Sequence, residues 1–150
     1  MFKLVFAVHL LFAIFVVGPL VHATTTASRG IRTGDAAASA SAARVVREYS
    51  YASVLVVLAG IGLMSLNSPD HKGEKVAEFG DTWIWLSVLL WLVAVVIGLT
   101  VVVPALTKAA KVIGEQGSVA TLTARAGGAG GVVGLIFAGI VFLMVYQPGS

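Results

Sequence analysis

Apolar positions along this chain come in four long blocks, and polar positions gather between them. Each block approaches the ~20 residues that a helix rising ~1.5 Å per residue needs to cross a bilayer. The pattern predicts an all-α polytopic membrane protein, a bundle of four transmembrane helices in one domain. Its spans fall at about residues 2–22, 49–66, 82–104 and 126–146. Residues 23–48 and 105–125 form two connections on one side, and residues 67–81 form a loop on the other.

The first block admits two readings. Lys3, the apolar run after it and Val21-His22-Ala23 have the order of a secretory signal with its cleavage site. The same residues also make a first transmembrane helix. Three further apolar blocks follow, so a retained span is expected. Gly18-Pro19 should loosen or kink its last turn, because Pro19 has no N–H for the carbonyl four residues back.

Residues 22–35, rich in Thr, Ser and Gly with Arg29 and Arg32, read as a polar loop. Asp35 is a good N-cap for the Ala-rich run that follows. That helix should begin outside the lipid, where Arg44, Arg47 and Glu48 lie, and enter it near Tyr49 and Tyr51. Asn67-Ser68-Pro69 should end it. Asp81 or Thr82 is expected to cap the third span, which Trp83 and Trp85 anchor at the interface while Trp91 lies deeper. Gly114 to Gly117 reads as a turn, and Tyr146 anchors the end of the fourth span. Within that span Gly127/Gly131 and Gly130/Gly134 have small-xxx-small spacing, which favours close helix packing over a break.

Composition sharpens the picture. The chain is 58% hydrophobic and 11% charged, far from the roughly one-quarter charged residues of a soluble domain. Its mean hydropathy is +0.97, so lipid must solvate part of it. The absence of cysteine excludes disulfides, thiolate metal sites and cysteine nucleophiles. The formal charge of +3 reports topology before partners, and nucleic acid is not among the partners expected. Seven basic residues lie in the connections at 23–48 and 105–125 (Arg29, Arg32, Arg44, Arg47, Lys108, Lys111, Arg125), against three elsewhere (Lys3, Lys72, Lys75). The positive-inside rule then makes both connections cytoplasmic and puts both termini outside a plasma membrane. The heavy use of Ala, Val, Gly, Thr and Arg resembles high-GC bacterial coding.

Few residues suggest chemistry. His9 is the sole histidine within a span, and intramembrane ionisable residues are candidate sites. With Met64 and Met144 at comparable depth it offers a soft copper(I) donor set, or a haem ligand. Alternatively it hydrogen-bonds a hydroxyl such as Ser53, Ser65 or Ser87 while the methionines pack. His22 lies thirteen residues away, about 20 Å along a helix, so the two histidines cannot share a metal. A bis-histidine haem site between helices cannot be built from this chain. The acidic loop from Asp70 to Asp81, with His71, Glu74 and Glu78, could attract a cation but lacks a recognisable ligand spacing. The basic pairs Arg44/Arg47 and Arg29/Arg32 could meet anionic headgroups, or simply set topology. Spans two to four carry no ionisable residue in their apolar centres, which disfavours an ion pathway.

The intramembrane His9, the Gly18-Pro19-Leu20-x-His22 sequence, the RGIRxxD connection and the Tyr-Ser-Tyr entry to span two resemble a family of small four-span bacterial membrane proteins of unknown function. That family is loosely similar to the CopD and HemJ-type integral membrane proteins. The resemblance covers mainly residues 1–66 and implies a four-helix fold, with haem binding carried over only to His9. Two functions are expected from the whole. One is a non-catalytic accessory subunit that joins other integral membrane subunits in a larger complex, a respiratory one among the possibilities, with no cofactor of its own. The other is a copper- or haem-binding protein using His9.

Overall fold

The computed structural model describes residues 1–66, 77–78, 80–115 and 117–148 of the 150-residue chain. Four helices in it are long and apolar enough to cross a membrane: α1 (Phe2–Arg32), α2 (Ala36–Met64), α3 (Thr82–Gly114) and α4 (Ala120–Tyr146). Each packs on the next, and α4 closes the ring against α1. The result is an antiparallel bundle of a multi-pass membrane protein, all-helical among the described residues. The stop at Asn67-Ser68-Pro69 and the acidic cluster of Asp70, His71, Lys72 and Glu74 lie outside the described residues.

The loop expected over residues 22–35 is instead mostly helix. α1 runs on to Arg32, with only a slight break at Thr26. Threonines that make the sequence look loop-like turn their hydroxyls back onto helix carbonyls: Thr24 donates to Leu20 and Val21, and Thr25 to Val21 and His22. Thr26 donates to His22 and Thr33 to Arg29. Leu20, Ala23, Thr24, Ala27 and Ile31 are buried there. At ~1.5 Å per residue, the 31 residues of α1 reach about 46 Å, well past a ~30 Å hydrocarbon core. The reversal takes only Thr33 to Asp35, with Gly34 at φ +68°, where a side chain would be strained. Asp35 caps α2 as expected, its carboxylate accepting from the Ala38 N–H at 2.8 Å. Asp81 stands at the N-cap position of α3 but turns its carboxylate back to the Glu78 N–H at 2.9 Å, so it gives no side-chain cap.

Proline shapes α1 and α3 by the same device. A wide π-turn spans Ala13–Val17, two residues before Pro19, and another spans Gly98–Val102, two residues before Pro104. At each, the next N–H reaches five residues back, Gly18 to the Ala13 carbonyl and Val103 to the Gly98 carbonyl. The wider turn leaves room for a ring that would otherwise press on the carbonyl four residues back. Gly18-Pro19 therefore marks a widened turn and the helix continues through it.

The buried interior is concentrated at mid-depth and toward the basic end. It draws Leu20 and Ile31 from α1, Val46 from α2, Val102 and Leu106 from α3, and Val133 and Phe137 from α4. Toward the other end the packing is mainly pairwise, with one small cluster of Met64 from α2 and Ile84 from α3 between the pairs. Residues 2–12 pack on residues 54–64 of α2, and residues 82–97 of α3 pack on α4. No residue of Phe2–Phe12 is buried.

Candidate functional site

His9 is held by α2. Its Nδ1 lies 3.1 Å from the Val56 carbonyl, and the imidazole rests over Gly60, where an added Cβ would stand 3.3 Å from Cε1. A carbonyl has no proton to give, so Nδ1 must be the protonated nitrogen and the Nε2 lone pair points elsewhere. The partner is thus backbone, in place of the hydroxyls of Ser53, Ser65 or Ser87. Glycine at position 60 leaves room for the ring, since an added methyl would press it outward by a few tenths of an ångström.

Met64 is buried in a small cluster with Ala77 and Ile84, flanked by Trp83. Met144 is 40% exposed on α4, in the pair of helices opposite the one that holds His9. His9 bonds the α2 backbone, Met64 packs with Ala77 and Ile84, and Met144 stands part-exposed on α4. No group of three His, Cys, Asp or Glu residues gathers among the described residues. His22 is exposed on α1.

α1 and α4 approach closely at a glycine. A Cβ on Gly130 would land on the Thr24 carbonyl oxygen, so only glycine fits. One on Gly127 would lie 3.3 Å from Ser28, and one on Gly134 would lie 2.8 Å from the Thr25 methyl. Gly131 behaves differently: it is exposed, with nothing within 4 Å. The buried positions of α4 are Ala126, Gly130, Val133, Phe137 and Ile140, a three-and-four spacing that puts Gly131 outside the stripe.

A polar crossing that the sequence alone does not suggest joins α2 to α3 at mid-depth. Trp91 Nε1 donates to Ser53 Oγ at 2.9 Å, and Ser53 Oγ donates to the Ser50 carbonyl at 2.6 Å. Both roles of the Ser53 hydroxyl are used, as a group buried in an apolar bundle requires. Beside it Gly98 faces Ser50, where a Cβ would be 3.5 Å from Oγ. The only available signal was the Ser50/Ser53 spacing within an apolar run opposite a tryptophan.

The aromatic residues expected at interfaces divide by exposure. Tyr51, Trp85 and Tyr146 are exposed, while Tyr49 is packed against the core and Trp83 against the Met64 cluster. No family model, curated protein or solved structure matches this chain.

Proposed function

We propose that this protein is a non-catalytic accessory subunit of a larger membrane complex, seated in a bacterial plasma membrane with its basic end cytoplasmic and both termini outside. One observation carries the reading: the first eleven residues of α1, Phe2–Phe12, bury nothing of their own. They contact the end of α2 and leave Leu4 and Leu11 exposed, with Phe15 one turn further on the same side. A span with so little intramolecular support has the form of a surface offered to another membrane helix.

The test is purification from native membranes in mild detergent, beside a variant with Leu4, Leu11 and Phe15 all changed to Ala. The expected outcome is co-migration of the wild type with a larger assembly, a respiratory complex being the first to probe. The variant should remain helical but migrate alone. Wild-type protein that elutes only as the free chain under every mild condition overturns the reading.

A second reading, copper or haem held through His9, draws on the Nδ1–Val56 bond. Metal-ligating histidines donate their other ring N–H to a fixed acceptor in this way. The remaining ligands would come from a partner or from Met64 or Met144. An absorption spectrum with metal analysis on the same preparation, beside His9→Ala, decides between the readings: stoichiometric haem or copper lost on substitution favours this one.

A further inference from the structure

The basic residues of α2 and α3 are not spread evenly over the surface. A groove of about 300 Å³ opens between these helices at the basic end, lined by Ala40, Ala43, Arg44 and Arg47 from α2, and by Val103, Thr107, Ala110 and Lys111 from α3. Its apolar lining is mostly alanine, so the helices leave a slot instead of filling it. Arg44 and Arg47 sit three residues apart on one face of α2, with Lys111 contributed from across the slot. All three are exposed. No carboxylate lines the groove, and Glu48 and Glu115, the nearest in sequence, are exposed outside it. Glu48 and Glu115 stand four residues from Arg44 and Lys111 along the chain, but three cations converge on an alanine-lined slot that no carboxylate lines, which suits an oxyanion. Guanidinium forks match phosphate oxygens in pairs.

Further along α2, Tyr51, Leu55 and Leu58 follow Arg44 and Arg47 at intervals of three and four, so they share the same face. They are 63%, 47% and 57% exposed. An apolar strip therefore leads from the cations toward the bilayer centre. A free phosphate would use only the cations, whereas a phospholipid would use the cations and the strip together.

We infer that the α2–α3 groove seats the headgroup of an anionic phospholipid, its phosphodiester between Arg44, Arg47 and Lys111 and its acyl chains along Tyr51, Leu55 and Leu58. Below the slot Gly98 faces Ser50 and Val46, where an added Cβ would lie 3.5 and 3.6 Å from their side chains, so α2 and α3 run close together there.

Native mass spectrometry of the full chain in detergent, titrated with phosphatidylglycerol or phosphatidylcholine, tests this. Phosphatidylglycerol is expected to bind stoichiometrically and phosphatidylcholine much more weakly. Near a membrane surface each Lys or Arg is worth about fivefold in lipid affinity. The Arg44→Gln/Arg47→Gln variant should then lose on the order of twentyfold. Arg29→Gln/Arg32→Gln, which removes the same charge from the same end, should lose less than about twofold. If the α2 variant fails to fold by circular dichroism, Lys111→Gln on α3 reads the same site, with an expected loss of about fivefold. Equal losses in the two arginine pairs would show nonspecific attraction and overturn the proposal. So would displacement of the lipid by millimolar inorganic phosphate, which would mark a free-anion site.

Discussion

At the scale of single residues, Gly130 sets the approach of α4 to α1 and Ser53 carries the hydrogen bond from Trp91 that joins α2 to α3. Gly130 lets the α4 backbone lie on the Thr24 carbonyl, and no side chain fits there. Gly130→Ala should therefore destabilise the bundle by about 1–3 kcal/mol, the usual range for overpacking. Gly131→Ala, facing open space, should be neutral or stabilise by up to ~1 kcal/mol through helix propensity. Unfolding of both variants in a denaturing detergent series checks the pair, and equal effects would refute the assignment of faces. Trp91→Phe and Ser53→Ala, combined in a double-mutant cycle, should show a coupling of about 0.6 kcal/mol and no more than ~1.7, as for other interhelical bonds within membranes. The sequence held the small-xxx-small spacing but not its phase: Gly127, Gly130 and Gly134 face α1 while Gly131 does not. That choice depends on which stripe of α4 is buried, and the stripe is set by tertiary packing. His9 likewise stood out as an intramembrane histidine, while its partner, a backbone carbonyl, left no trace in the sequence.

At the scale of elements, the four blocks of hydropathy were legible because lipid imposes a long, unbroken apolar run. The continuation of α1 past residue 22 was not. Its Thr-rich segment has the composition of a loop, and it is helical because the hydroxyls bond the helix itself and because Ala27 and Ile31 find a buried face. The real reversal is three residues long and rests on Gly34 and Asp35. Gly34→Ala should destabilise by about 1–2 kcal/mol, the penalty of a left-handed backbone for a residue with a Cβ. Asp35→Ala should lose about 1 kcal/mol with the cap. Gly18→Ala is the control, since Gly18 has an ordinary helical backbone and nothing within 4 Å. Thermal unfolding in one detergent ranks the three, and a Gly34→Ala protein as stable as Gly18→Ala would contradict the turn. The π-turns ahead of Pro19 and Pro104 were likewise hidden: proline announces a disturbance, but whether the helix kinks or widens is decided by its neighbours.

At the scale of the molecule, one end is a packed hub and the other packs mainly as two helix pairs. All seven basic connection residues gather at the hub end. The chain has no cysteine, so single cysteines report orientation without background. Ser118→Cys should react with a membrane-impermeant maleimide only after the cytoplasmic side is opened, and Gly80→Cys should react in intact cells. The reverse pattern would invert the proposed topology.

The Thr24–Gly130 contact also bears on how the molecule is made. This close approach links α1 to α4, the two of the four helices that lie farthest apart along the chain. While the ribosome is still making α2 and α3, α1 has no α4 to close upon, and its Thr24 face must wait in the insertion machinery or in lipid. The ring can shut only when residue 130 has emerged, so chains truncated before α4 would leave this seam open and expose α1 to membrane quality control.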